Sequence, residues 1–528
     1  MNIYKTYKGD KVPKLTKYLY PASTIFRDSS YTLVSMFFMA FIQFCAPLGY
    51  AWEQVGSVDV GLYTSQMLVI SAIIIALRIW DGFNDPIMGF IIEKCHFKSG
   101  KYKPWILIGG LTNAVVLFFM FYLRPVGWWY VIAFGVFYML WDFTFTMNDI
   151  GYWSMLPSLS SNEKERNTLT TLVSVCASIG AFAAGGIIPM VASGHAVEAY
   201  WKVALIISLL FAASQVILYI FCEEHERGNE EFERKNDAKF TDMFKILKNN
   251  SQTRVSTIAM LIYYTSSNII NGFGLNFFYF NYGYGTNTGG SVQFYFLIAY
   301  ALGTILAQVS FPFLLKKFKR TELMNYCFIF VLIFYLIFFF YDLKIGNVVL
   351  GFRDPTVGVA PNLPDIITLC IIGVFMFLGD GLFYLILLIL MTNTIEYNEY
   401  KTGERRESII FSLRPLTAKL ASAFMQGILS VGLISAGLYT ISNSINDLEV
   451  QKALDDSVDV VTNADASIRT ITDNQLFIFK CFFVLIPLIL FIVAYVLVKK
   501  KYFIDEKYYE MMIKEINEKK VLQETKKN

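Results

Sequence analysis

The chain has 528 residues, 55% of them hydrophobic, 17% aromatic and 16% charged, with a mean hydropathy of +0.47. A soluble globular protein is not that apolar from end to end, so the composition points to a polytopic membrane protein. The formal charge of +3 reflects basic loops more than a nucleic-acid surface, so no nucleic-acid partner is expected, and seven cysteines that fall singly offer no spacing for a zinc cluster or a disulfide framework.

Apolar runs long enough to span a bilayer, about 20 residues each, predict an all-α membrane protein with twelve transmembrane helices. They fall near 29–51, 60–92, 104–123, 128–157, 167–193, 199–222, 255–281, 291–316, 322–341, 363–397, 407–438 and 475–499. Basic residues gather before the first span (Lys5, Lys8, Lys11, Lys14, Lys17) and between the second and third (Lys94, Lys98, Lys101, Lys103). They return between the eighth and ninth (Lys316, Lys317, Lys319, Arg320), between the tenth and eleventh (Lys401, Arg405, Arg406) and after the twelfth (Lys499, Lys500, Lys501). The loops 51–59 and 281–290 carry none, so the positive-inside bias predicts that both termini face the cytoplasm of a multi-pass plasma-membrane protein, the bacterial inner membrane. The first apolar run begins too late, after too many charges, to be a cleaved signal peptide.

The charged stretch 223–254 divides the spans six and six. The expected organisation is a cytoplasmic segment 1–28, a six-helix bundle 29–222, a cytoplasmic linker 223–254, a second six-helix bundle 255–499 and a cytoplasmic tail 500–528. Segments 342–365 and 440–474 read as long external loops, either solvated or lid-forming. Residues 505–520 read as a charged helix on the membrane surface or a solvated appendage. Glycines inside spans, among them Gly180 and Gly303, fit either close helix crossings or bends.

The chemistry concentrates in the second span, where residues 78–85 read Arg78-Ile-Trp-Asp-Gly-Phe-Asn-Asp85. One charge near a bilayer centre costs about 2.5 to 3.5 kcal/mol, and three stand here. Asp81 and Asp85 share a helix face with Arg78. Two such carboxylates need a cation, an arginine or a proton to compensate them, so the cluster reads as a cation or proton site, or as a salt bridge to Arg78. In the fourth span Thr146 and Asp149 precede Trp153, which lies on the face of Asp149. An aromatic plane beside a carboxylate suits a sugar, and it also suits an interfacial anchor. Asp28, preceded by Arg27, stands at the mouth of the first span. Lys419, deep in the eleventh span, can neutralise an aspartate across a cavity or snorkel to an interface. The mixed-charge run 393–408, with Glu396, Glu399 and Arg405, reads as a solvated link or a cytoplasmic latch. No phosphate loop, metal spacing or nucleophile elbow is present, so the chain is expected to be neither an enzyme nor a cofactor protein.

Residues 78–89 and 100–109, together with 149–157, 267–273 and 396–408, resemble the melibiose permease family, the glycoside-pentoside-hexuronide:cation symporters of the major facilitator superfamily. The resemblance covers nearly the whole chain. It implies a major facilitator fold and a coupling cation, Na⁺ or H⁺, held by Asp81, Asn84, Asp85 and Thr146. It implies sugar contacts at Asp28, Asp149 and Trp153, with Tyr384 where the family has a tenth-helix tryptophan and Lys419 as its charge-balancing lysine. Ser174 stands where the family has a sugar-contacting arginine. The expected activity is cation-coupled sugar symport by alternating access. Proton-only coupling, a non-sugar cargo such as a lysolipid, and a sensor that binds without transporting remain the alternatives; the oligomeric state is open.

Overall fold

The structure, a computed structural model, describes residues 6–7, 11–52, 58–95, 97, 100–160, 163–225, 240–342, 344–345, 348–349, 356–403 and 407–525. Its helices are α1 (Lys14–Thr32), α2 (Phe38–Cys45), α3 (Val60–Lys94), α4 (Lys103–Tyr122), α5 (Trp128–Ser158), α6 (Glu163–Val191) and α7 (Ala196–Phe221). There follow α8 (Phe240–Asn249), α9 (Ser251–Tyr282), α10 (Ser291–Lys317), α11 (Arg320–Tyr341), α12 (Leu363–Thr402) and α13 (Glu407–Ser435). The last are α14 (Tyr439–Lys452), α15 (Val460–Ile468), α16 (Asp473–Lys480), α17 (Ile486–Lys501) and α18 (Glu506–Thr525). Single π-helical turns join α1 to α2, lead into α10 and join α16 to α17. Strand pairing among the described residues consists of two short ladders, Thr6–Tyr7 with Glu224–His225 and Lys344–Ile345 with Val348–Val349, and an isolated bridge between Phe97 and Gly100.

Ten helical segments among the described residues are long and apolar enough to cross a membrane. The two predicted spans that fall short are the first, running through α1 and α2, and the seventh, α9. The reason is their polarity: α1 buries Thr16, Thr24, Arg27 and Ser30, and α9 buries Thr253, Ser256, Thr265 and Ser266. Polar residues packed inside a helical assembly lower hydropathy without exposing anything to lipid.

The first helix also begins earlier than expected. It starts at Lys14 and ends at Cys45, so residues 14–28 belong to a packed helix continuous with the first span. Ser29 donates to the Gly180 carbonyl at 2.9 Å and Thr24 to the Val173 carbonyl at 3.4 Å, which seats α1 on α6. Gly180 makes the crossing possible, since a β-carbon there would meet the Ile25 carbonyl oxygen at 1.9 Å. Gly180→Ala is therefore expected to destabilise the protein by about 1–3 kcal/mol through forced separation of α1 and α6. A thermal unfolding curve in detergent reads this, and an unchanged midpoint would contradict it.

Helices α1 to α7 pack among themselves, and α9 to α17 do likewise. The two sets meet where α3 packs on α13, α6 on α10 and α2 on α14. Both described chain ends lie at one end of the assembly, where Val12 donates to Glu165 at 3.3 Å and α18 packs against α12. The tail helix is docked there and is not a solvated appendage: Ile504 and Met512 are buried with Tyr397, and Glu506 accepts from the Arg320 amide at 2.6 Å.

At the opposite end the predicted external loop 440–474 is largely helical, and its helix α14 seals the seam between the two sets. Gln43 donates to Ser442 at 2.7 Å, Asn446 to the Ala46 carbonyl at 2.7 Å, and Tyr50 to Asp447 at 3.2 Å. Glu449 accepts from the Gly194 and Ala196 amides at 2.9 and 2.8 Å and from the Tyr284 hydroxyl at 2.9 Å. The carboxylate thus caps the start of α7 while holding the connection between α9 and α10. Of 342–365, much lies outside the described residues, but Asp342 pairs with Lys480 and accepts from Tyr282 at 2.9 Å.

Burial pushes the Glu449 carboxyl up from 4.5 to about 7, against the opposing effects of Tyr284, the two amides and Arg124. The closed cap therefore holds a proton that a solvent-exposed Glu449 would release. Protection of α14 is expected to fall as pH rises from about 4.5 to about 7 and to level off above it. Hydrogen exchange of the α14 amides, corrected for the intrinsic pH dependence, tests this; Glu449→Gln should flatten the profile, and a retained slope in that variant would refute the assignment.

Candidate functional site

A cavity of about 170 Å³ opens between the two helix sets, lined by α1, α3, α5 and α13. The i, i+4 spacing on α3 brings Asp81 and Asp85 to one face, as expected. Their ionic partner is Lys419 of α13, whose Nζ lies 2.8 Å from Asp81 Oδ1 and also donates to Asp85 Oδ2. The alternative salt bridge to Arg78 does not form: among the described residues no ion pair joins Arg78 to either aspartate, and its guanidinium lies over the Tyr138 ring at 5.8 Å. No proline interrupts α13 from Lys419 to Ser430, and it stays helical along α3, where Ser71 and Ser430 hydrogen-bond at 2.7 Å.

Asn84, 1% exposed, donates its amide to Asp142 Oδ2 on α5 at 3.3 Å. Thr146 follows Asp142 by one turn, is 4% exposed and lines the cavity. The oxygens of Asp81, Asp85, Asn84 and Thr146 are the hard donors an alkali cation takes. Among the described residues no three acidic, histidine or cysteine side chains converge as a metal cluster, and the ammonium of Lys419 sits on the carboxylate pair.

The second cluster adjoins the first. Arg27, 2% exposed, pairs with Asp28 at 3.0 Å and with Asp149 at 3.4 Å. Its guanidinium lies 4.5 Å from the Tyr152 ring centroid and 5.4 Å from that of Trp153. Reciprocal hydrogen bonds between Tyr20 and Tyr152 and their backbone carbonyls, at 2.5 and 2.8 Å, lock α1 to α5 and so fix Arg27 beside Trp153. Asp28 is consequently a mid-helix residue inside the cavity, not a flanking charge at a span mouth. Tyr31, Trp141 and Phe145 stack into one wall, with ring centroids 5.1 to 6.0 Å apart. A second space of about 300 Å³ continues past Tyr31, Arg78 and Lys419 toward Tyr264, Asn268 and Asn271.

Residues 61–506 match the family described as MFS/sugar transport protein. The chain belongs to that family. It is similar to a lactose permease of Lactobacillus delbrueckii subsp. bulgaricus, 27% identical over 84% of this chain and 65% of the permease. It is similar also to a raffinose carrier protein of Pediococcus pentosaceus, 27% identical over 70% of this chain and 56% of the carrier. The chain thus spans less than two thirds of the length of these two relatives. Among solved structures, a D-xylose-proton symporter superposes with a TM-score of 0.54 at 11% identity, covering 84% of this chain and 98% of that one, a likeness of fold. The family match and the apolar helices make this a multi-pass membrane protein.

Within this family frame the remaining sequence-based candidates separate by position. Lys419, expected beside the sugar contacts, bonds the carboxylates of α3. Tyr384 does not line either space; it stands behind Tyr264, hydroxyl to hydroxyl at 3.4 Å, with Arg414 over its ring at 5.9 Å. Glu396 and Glu399 are buried on the last turns of α12, outside the cavity lining, and Arg405 lies outside the described residues. Ser174 donates to the Thr170 carbonyl of its own helix at 2.9 Å and contributes nothing to the cavity. Asp142 was missed, although a signal existed. Asp142, Thr146, Asp149 and Trp153 fall at helical intervals on one stripe of α5, and that stripe extends one turn before Thr146.

Proposed function

We propose that the protein is a secondary active transporter that couples movement of a sugar to a monovalent cation by alternating access. Twelve spans carry it, the ten apolar ones plus the polar first and seventh, which bring Arg27, Asp28, Asn268 and Asn271 to the cavity walls. At 32 residues α9 is about 48 Å long, more than the roughly 30 Å of a hydrocarbon core. Both termini face the cytoplasm, as the basic loops require, so the α14 cap lies outside and the cavity is sealed on that face. The two helix sets, α1 to α7 and α9 to α17, rock around the cavity.

One observation carries the reading: Lys419 rests on Asp81 and Asp85 within a cavity that also holds Arg27, Asp28, Asp149 and Trp153. Na⁺ or H⁺ arriving at Asp81 and Asp85 displaces the lysine, and Thr146 and Asn84 complete the oxygen shell for a metal cation. The released ammonium and the neighbouring cluster then favour sugar on Asp28, Asp149 and Trp153. Each ligand favours the other's bound state by a reciprocal linkage, typically about 1–3 kcal/mol. Charged, hydrogen-bonding walls and relatives named for lactose and raffinose support a sugar over a lysolipid.

Proteoliposomes loaded against an inward Na⁺ or pH gradient test the proposal. Gradient-driven sugar accumulation is expected in the parent and lost in Asp81→Asn and Asp85→Asn, with sugar counterflow retained. Undiminished accumulation in both variants would remove the coupling assignment, and binding without any counterflow would make the protein a sensor.

A further inference from the structure

Asp142 is a carboxylate of the cavity that the reading above leaves without a task. It is 5% exposed, and it stands on α5 one turn before Thr146. Its Oδ2 takes the Asn84 amide hydrogen at 3.3 Å, a bond joining α3 to α5. Its carboxylate also faces Asp81 at close range.

The bond settles which way Asn84 turns. A side-chain amide has one acceptor end and one donor end, and only the carbonyl oxygen serves a cation. A carboxylate is acceptor-only, so Asp142 draws the NH₂ end and leaves the carbonyl end for the other side of the group. A second observation points to a ligand in the same place: the hydroxyl of Thr146 lines the cavity and makes no hydrogen bond to the described residues. Ligands of metal ions are commonly oriented by an outer carboxylate, and removing that partner typically costs about 10–100-fold in affinity.

We propose that Asp142 is a positioning residue for the coupling cation, holding the Asn84 amide so that its carbonyl oxygen, with Asp81, Asp85 and Thr146, faces an alkali cation. This rests on the cation-coupling reading and adds to it a metal cation as the coupled ion and a residue that tunes its affinity. In this proposal Asp142 acts through Asn84 and not as a ligand.

Purified protein is heated in NaCl or LiCl, with choline chloride keeping ionic strength constant, and the half-saturating cation is read from the rise in Tm. Asp142→Ala is expected to raise it about tenfold or more. Asp142→Asn, whose amide oxygen still accepts from Asn84, should lose far less. In an Asn84→Ala background Asp142→Ala should have no further effect, because the group it orients is gone. A cooperative unfolding transition in choline chloride alone shows that each variant folds. Additive losses in the double variant, equal losses for Asn and Ala at 142, or an unshifted response in Asp142→Ala would each overturn the proposal. If Asp81→Asn abolishes the cation response while Asp142→Ala spares it, only this inference fails. A parent that responds to neither Na⁺ nor Li⁺ removes this inference and leaves proton coupling. If the response survives Asp81→Asn, the coupling site itself is misplaced.

Discussion

Lys419→Ala is expected to abolish gradient-driven sugar accumulation and to lower the yield of folded protein. Its ammonium is the ion-pair partner of both Asp81 and Asp85, at 2.8 Å from the first. Asp81 is 7% exposed and Asp85 29%, so removing the lysine leaves two carboxylates facing each other with little water. Breaking a buried pair by deleting one partner costs about 3–5 kcal/mol, which is roughly a factor of 10²–10⁴. The loss has a specific remedy. Combining Lys419→Ala with Asp85→Asn removes one positive and one negative charge together, and should restore folded yield and sugar counterflow while accumulation stays absent. Parental accumulation in Lys419→Ala would show that the lysine merely fills space. Failure of the double variant to recover counterflow would show that its role is not charge balance.

Arg27→Ala should cost sugar binding at least about 10²-fold. Arg27 is the central member of its cluster, donating to Asp28 through Nε and Nη2 at 3.2 and 3.0 Å and reaching Asp149 at 3.4 Å. Its planar group stacks against Tyr152 as well. Alanine leaves Asp28 and Asp149 as unbalanced acceptors whose geometry nothing holds. Arg27→Lys should rescue little, because an ammonium cannot fork to one carboxylate and stack on a ring together. Direct sugar binding to purified protein measures this. The cation-dependent Tm shift, which depends on Asp81 and Asp85, should survive in Arg27→Ala. Joint loss of both responses would mean that the two clusters are one site, and near-parental binding in Arg27→Lys would reduce Arg27 to a counter-charge.

The span limits illustrate what local pattern supports. The second span was expected at 60–92 and α3 covers Val60–Lys94; the eighth at 291–316 and α10 covers Ser291–Lys317. Hydrocarbon imposes its length on each of these helices separately, so each run reports its own ends. The first helix escaped because Thr16 accepts from the Glu223 amide, Thr24 bonds α6 and Arg27 reaches Asp149 of α5, a compensation no window of residues displays. The loop 440–474 escaped for a related reason. It is polar because α14 hydrogen-bonds both halves at once through Ser442, Asn446 and Glu449, and polarity alone does not distinguish that from solvation.

The site divides along the same line. Asp81 with Asp85, and Asp149 with Trp153, are neighbours on one helix, so their spacing by itself placed each pair on a common face. The same arithmetic reaches Asp142 once the α5 stripe is followed one turn further. The pairings between helices were not available from spacing. Lys419 is separated from Asp81 by 338 residues, and several residues in the sequence compete for the aspartates, Arg78 being the nearest. Which cation they receive depends on how α3 and α13 lie together, and that is set by packing along the whole seam, including Ser71 on Ser430 and the α14 cap. By itself the sequence determined a chain of membrane helices, their approximate ends and the faces on which carboxylates stand, because those follow from solvent and helical period. Only the tertiary structure decided that Lys419 holds Asp81 and Asp85, that Arg27 holds Asp28 and Asp149, and that Asn84 turns toward Asp142. Those bonds exist through long-range contacts between helices whose separations along the chain carry no record of them.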